Sequence, residues 1–147
     1  MSQPKVLVTG GTGYIASWII QMLLEKGYTV HATTRNLDRP EKRRHLDEPA
    51  GQLPGELKWF EADLLDEGSF AEAMQGCEYV LHTASPFQIS GIKDAQKELI
   101  DPALKGTHNV LASASRNSGI RKVVLTSSVV AIYSDATDTQ NTENGIL

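Results

Sequence analysis

The stretch Val6-Leu7-Val8-Thr9-Gly10-Gly11-Thr12-Gly13-Tyr14-Ile15-Ala16 constrains the fold of this chain more than any other. A short apolar, β-branched run, residues 5–9, reads as a strand buried on both faces. Three glycines follow it, and then the first residues of a helix. Glycines let the backbone turn tightly and come close to a pyrophosphate, while the helix start offers unpaired N–H groups and a positive dipole end. Strand, glycine turn and helix together make a dinucleotide-binding crossover. The glycines allow two registers. Gly11-x-Gly13-x-x-Ala16 fits the general dinucleotide pattern, and Thr9-Gly10-x-x-Gly13-x-x-Ala16 fits a Thr-Gly-x-x-Gly-x-x-Gly/Ala form. The two differ in which glycine makes the first turn. A P-loop is excluded, because no Gly-Lys-Ser/Thr follows at the required spacing.

The remaining chain alternates strand and helix signals. A helix is expected from Tyr14 to Lys26, with Ile15, Ala16, Ile19, Ile20, Leu23 and Leu24 facing the sheet and Gly27 ending it. The second strand is expected at 28–34, with His31 as an ordinary strand histidine. A helix is expected to start near Asp38, and a Pro- and Gly-rich loop to occupy 49–55. The third strand, 57–62, runs into Asp63-Leu64, and a third helix is expected over 66–75. Strand four, 78–83, leads into Ala84-Ser85-Pro86, and His82 within it reads as packed. A long helical segment over 93–117 contains Pro102, with Leu104, His108, Leu111 and Ala112 toward the sheet. Strand five, 122–126, ends in Ser127-Ser128, and residues 134–147 are polar and without periodicity.

This alternation predicts an α/β fold, a Rossmann-type doubly wound parallel sheet of strand order 3-2-1-4-5. All five strand ends then lie on one edge, where such sheets bind ligands. Those ends carry the glycine turn, Arg35, Asp63-Leu64, Thr83-Ala84-Ser85 and Ser127-Ser128. The end of strand two usually supplies a carboxylate to a free ribose 2′-hydroxyl, but here it reads Thr34-Arg35-Asn36. A guanidinium holds a 2′-phosphate that a carboxylate would repel, so NADP(H) is favoured over NAD(H). The nearby Arg39, Arg43 and Arg44 read mainly as the solvated face of a helix. Asp63 suits either an acceptor for the adenine amino group, with Leu64 alongside, or the cap of a turn.

At 147 residues the chain is at most one domain, and its 40% apolar and 22% charged composition is that of a globular protein. A net charge of −4 gives no reason to expect nucleic acid or an anionic membrane as partner. No apolar run approaches the length of a membrane span, and no signal-peptide layout is present, which suggests a cytoplasmic protein. The single cysteine, Cys77, excludes an internal disulfide and reads as structural, and no residues have metal-ligand spacing.

The chain resembles the N-terminal part of an extended short-chain dehydrogenase/reductase, and more narrowly the dihydroflavonol 4-reductase and cinnamoyl-CoA reductase group. The resemblance rests on residues 8–18, 62–70, Thr83-Ala84-Ser85-Pro86, 102–111 and Val124-Leu125-Thr126-Ser127-Ser128. It implies NADPH-dependent reduction of a ketone or aldehyde, a small-molecule carbonyl substrate. Gly10, Thr12, Gly13, Tyr14, Ile15 and Ser127 match cofactor-binding positions. Arg35 and Lys42 match the pair that holds the 2′-phosphate, Asp63 and Leu64 the adenine contacts, and Thr83, Ala84 and Ser85 the wall beside the nicotinamide ribose. Ser128 matches the catalytic serine that hydrogen-bonds the substrate carbonyl. Tyr133 lies where the group places a substrate-facing polar residue, or is an ordinary loop or strand tyrosine.

That chemistry also needs a tyrosine with a lysine four residues on, and the chain lacks the pair. Its tyrosines are Tyr14, Tyr28, Tyr79 and Tyr133, followed four places on by Trp18, Ala32, Thr83 and Thr137. The expectation is an NADP-binding domain over 1–147 without its C-terminal strands and substrate region. A nucleotide-sugar epimerase or dehydratase and a non-catalytic, redox-sensing module are the alternatives.

Overall fold

The computed structural model describes residues 3–86, 91–128 and 131. Five parallel strands form one sheet: β1 Lys5–Thr9, β2 Thr29–Thr34, β3 Glu56–Glu61, β4 Cys77–His82 and β5 Lys122–Leu125. Their order is β3-β2-β1-β4-β5, as the alternation predicts. Helix α1 spans Tyr14–Glu25, α2 Arg44–Ala50 and α3 Asp101–Ser115.

Period-two alternation in β1 builds both layers of the core. Val6 and Val8 join Ala16, Ile20 and Leu24 of α1 and Leu46 of α2 on one face. Leu7 points the other way, to Phe70, Ala73, Met74, Val80, Val110 and Ala114. Leu7 has no exposed surface, so its truncation to alanine would cost about 2–5 kcal/mol. His31 is also buried: Nδ1 donates to the Ala73 carbonyl at 2.7 Å, and the ring lies 4.6 Å from that of Phe60.

Several local expectations are corrected. Ile15 is 56% exposed, because the buried stripe of α1 runs through Ala16, Ile20 and Leu24 instead. The segment after β2 does not enter a helix at Asp38. It forms turns and a single 3-10 turn at Pro40–Lys42, and α2 starts only at Arg44. Pro49 belongs to the last turn of α2 and not to the following loop, since a proline near a helix end forfeits only one backbone bond.

No helix forms over 66–75; the segment is a series of turns. Gly68 takes a left-handed φ of +84°, which no helix continues through, and the bonds there are isolated ones such as Ala71 N–H to the Gly68 carbonyl. The long helical segment is continuous from residue 95 to Ser115, as expected, with Pro102 marking a change of winding within it. Pro102 has no N–H for the Glu98 carbonyl four residues back, and the turn before it is a π-turn, Gln96–Ile100. In α3, Leu104 and Leu111 are exposed, and the buried stripe is Gly106, Val110, Ser113 and Ala114. The absent side chain of Gly106 lets the helix approach Leu64, whose Cβ would lie 2.9 Å from an added Cβ.

No helix among the described residues is long and apolar enough to cross a membrane. Tyr133 and the polar run 134–147 lie outside the described residues.

Candidate functional site

The glycine turn resolves the choice of register. Gly10 has φ +67°, a left-handed conformation, whereas Gly11 does not, so Gly10 makes the first turn of the Thr-Gly-x-x-Gly form. Gly11 is needed for a different reason: an added Cβ would lie 2.8 Å from the Trp59 ring and 2.9 Å from the Ala32 Cβ. The turn is tied down on both sides. Gly10 N–H donates to the Thr33 hydroxyl at 3.1 Å, Gly11 N–H to the Thr33 carbonyl at 2.8 Å, and Gly13 N–H to the Gly10 carbonyl at 2.9 Å.

Gly13 is the N-cap of α1 and supplies no side-chain acceptor to the first helical N–H groups. No acidic residue occupies the first turn either. The start of α1 therefore keeps its donors and its positive end for a ligand.

A cleft of about 780 Å³ opens at this point, over the carboxyl ends of the strands. The glycine turn contributes Gly10, Thr12 and Gly13. The end of β2 and its following turns contribute Arg35, Arg39 and Lys42, the end of β3 contributes Asp63 and Leu64, and the end of β4 contributes Thr83, Ala84 and Ser85. Four of the five strand ends thus meet in one cavity. The fifth does not: Ser127 and Ser128 are exposed beyond β5, the outermost strand next to β4, and are not among the cleft's lining residues. Tyr14 and Ile15 are likewise absent from that lining; Tyr14, 81% exposed, borders a smaller hollow with Trp18 and His45.

The cationic residues divide into two groups. Arg43 pairs with Asp47 at 3.3 Å and Arg44 with Glu48 at 2.6 Å, both one turn along α2. Arg44 belongs to the exposed helix surface, as the sequence suggests, whereas Arg43 at the start of α2 is half-buried. Arg39 does not share that role, because it lines the cleft with Arg35 and Lys42. Within the described residues these three cations form no ion pair. An anion entering beside them would meet positive charge that no protein carboxylate has already neutralised.

Asp63 serves the turn as well as the cleft. Its Oδ1 accepts the Leu65 N–H at 2.8 Å, and the Ser69 hydroxyl donates to its carbonyl at 2.8 Å. The turn-cap reading of Asp63 is observed: an Asx turn fixes the side chain at the cavity wall. Sequence reasoning missed Phe70, Glu98 and Pro102, which also line the cleft. Phe70 comes from the turn series, Glu98 from the π-turn and Pro102 from the first turn of α3.

Cys77 is buried, and burial pushes its thiol up to about 11, so it is protonated and unreactive at neutral pH. No group of three or more potential metal ligands occurs among the described residues.

The parallel sheet, the glycine turn at a helix start and the cleft at the strand ends define a protein of the doubly wound, dinucleotide-binding class. The chain belongs to the NAD dependent epimerase/dehydratase family, which it matches over residues 6–146. It is 52% identical over 127 residues to a cinnamoyl-CoA reductase of Medicago truncatula, covering 86% of this chain and 38% of that protein. It is 42% identical over 130 residues to a dihydroflavonol 4-reductase of Solanum lycopersicum, covering 86% and 34%. Its structure resembles that of Gre2 from Candida albicans in complex with NADPH, with a TM-score of 0.73, 33% identity, and coverage of 88% of this chain and 38% of that one. The chain thus spans less than two-fifths of the length of these relatives.

Proposed function

We propose that this chain is the cofactor-binding part of an NADPH-dependent reductase acting on a small ketone or aldehyde. The observation that carries the proposal is the grouping of Arg35, Arg39 and Lys42, unpaired with any described carboxylate, in the same cleft as the uncapped start of α1. That arrangement offers two anion sites, a backbone one for a pyrophosphate and a guanidinium one for a ribose 2′-phosphate. An NADPH-bound neighbour of the same fold and reductase relatives support the same reading.

In this reading Gly10, Thr12 and Gly13 carry the pyrophosphate, with Tyr14 and Ile15 at the start of α1. Arg35 and Lys42 hold the 2′-phosphate, and Arg39, which sequence reasoning placed on a helix face, joins them. Asp63 and Leu64 receive the adenine. Thr83, Ala84 and Ser85 form the wall beside the nicotinamide ribose, where their small side chains leave room. The bound cofactor supplies a hydride. Ser128, with Ser127 before it, takes the substrate side, where a hydroxyl donor stabilises the negative charge that grows on a carbonyl oxygen. Tyr133 is assigned to substrate contact. Residues 1–147 form the cofactor domain, and substrate choice rests with the longer protein.

The family's epimerases and dehydratases are the second reading, and a binding module without turnover is the third. One set of assays separates them. The reductase reading expects the full encoded protein to oxidise NADPH with an aromatic or aliphatic carbonyl compound and to ignore sugar nucleotides. It also expects Ser128→Ala to cut turnover by about a hundredfold while leaving NADPH affinity within twofold. Turnover of sugar nucleotides, or an unchanged rate in S128A, overturns it.

A further inference from the structure

His82 is buried, 2% exposed, at the last position of β4, between β1 and β5. Its Nδ1 lies 2.7 Å from the hydroxyl of Thr9, which has no exposed surface and is the last residue of β1. That hydroxyl is the meeting point of three contacts. The N–H groups of Thr83 and Ala84 both reach its oxygen, each at 3.2 Å. A hydroxyl has two lone pairs and one proton. The two amides occupy the lone pairs, so the proton must go to the third neighbour, His82. Nδ1 is therefore the acceptor, and any ring proton of the neutral imidazole sits on Nε2. Burial, which lowers the proton affinity of the ring, agrees with this assignment.

The consequence lies at the cleft. Thr83 also donates its own hydroxyl to the Thr9 carbonyl at 2.6 Å, so the first two residues past β4 are fastened to the last residue of β1 through both atoms of one threonine. Gly10 follows directly, and an added Cβ there would lie 3.0 Å from the Ala84 Cα. The glycine turn and the Thr83-Ala84 wall are thus held in one register.

We propose that His82 is a positioning residue for the dinucleotide site: by accepting the Thr9 hydroxyl proton at Nδ1, it turns that oxygen's lone pairs toward the Thr83 and Ala84 amides and so sets the spacing between the glycine turn and the opposite wall. The inference rests on reading the cleft as a dinucleotide site. Without an acceptor at that place the Thr9 hydroxyl has nowhere buried to send its proton, and rotating it to find one breaks an amide bond.

The test uses the full encoded protein. In nitrogen-labelled protein at pH 7.5, the His82 signal, assigned by its loss in His82→Asn, should show an unprotonated Nδ1. His82→Leu should raise the Kd for NADPH about tenfold. His82→Asn, whose Oδ1 stands where Nδ1 was, should recover most of that loss. Thr9→Val should match His82→Leu, Thr9→Ser should bind like wild type, and the double variant should be no worse than either single one. If His82→Leu does not fold, the Thr9 pair and His82→Asn decide alone. A protonated Nδ1, wild-type affinity in folded His82→Leu, or fully additive losses would overturn the proposal. If the unaltered protein binds no NADPH, the reading of the cleft fails. The nitrogen spectrum, with the Thr83 and Ala84 amide shifts in Thr9→Val, then decides the His82 contact separately.

Discussion

Gly10 and Ala84 touch across the floor of the cleft: a Cβ built on Gly10 would stand 3.0 Å from the Ala84 Cα and 3.1 Å from its Cβ. One residue belongs to the turn after β1 and the other to the segment after β4, seventy-four positions away in sequence. Gly10 also holds φ +67°. Gly10→Ala therefore meets two penalties, a left-handed conformation costing about 1–2 kcal/mol and a backbone clash that pushes the two walls apart. Isothermal titration should find NADPH bound at least tenfold more weakly. Gly51→Ala, at the end of α2 with nothing within 4 Å, should leave binding unchanged and serves as the control. Equal affinities in G10A and wild type would refute the assigned geometry.

Gly106→Val should lower stability by about 1–3 kcal/mol, because the new side chain would push into Leu64, whose Cβ and Cδ2 would stand 2.9 and 3.2 Å from the added Cβ. Leu64 lines the cleft, so the loss should also weaken NADPH binding. Urea unfolding gives the first quantity and titration the second. A midpoint equal to wild type would mean that α3 does not pack as closely as described.

Two buried imidazoles make the fold sensitive to acid. Burial lowers the proton affinity of His31 and His82 below the ordinary value of 6.5; for His31 the Ala73 hydrogen bond opposes that effect only in part. The unfolded chain takes up protons near pH 6.5 while the folded one does not, so the unfolded state binds more protons there. The contribution is complete above pH 6.5 and is lost as the pH falls from there through the folded values. The melting temperature should drop between pH 8 and pH 5.5, and H82N should shallow that drop. A melting temperature that rises on acidification would contradict the assignment.

Cys77 should resist thiol reagents in the native state and react once denaturant is added, since the folded thiol is buried and pushed up to about 11. Rapid labelling of folded protein would place it elsewhere.

The 147-residue chain by itself should bind NADPH and reduce nothing, because none of its four tyrosines is followed by a lysine four residues on. Absorbance at the nicotinamide band with a range of aldehydes and ketones checks this. Measurable turnover would mean that the proton comes from another residue.

Much of this was legible in the residues because it depends on local rules. The apolar run Lys5–Thr9, the three glycines and the alternation of strand and helix signals specify the sheet and its order. Arg35 was legible because its place at the end of β2 follows from that topology. What escaped was whatever long-range packing decides. The helix expected over 66–75 gave way to turns around the left-handed Gly68, and the leucines of α3 gave way to small residues that let the helix approach Leu64. Arg39 read as part of a helix face because it sits in one basic run with Arg43 and Arg44; the turns before α2 separate it from them. The bond between Thr9 and His82 spans seventy-three positions, and no spacing rule anticipates it.

The central claim is that the cleft holds a dinucleotide bearing a 2′-phosphate, and the most direct measurement is the ratio of NADPH to NADH affinity in wild type and in Arg35→Ala. Wild type should bind NADPH at least tenfold more tightly, as charge-assisted hydrogen bonds of about 1.5–3 kcal/mol require. R35A should reduce that ratio to within about threefold while NADH affinity stays unchanged. Equal affinities for NADPH and NADH in wild type would contradict the account.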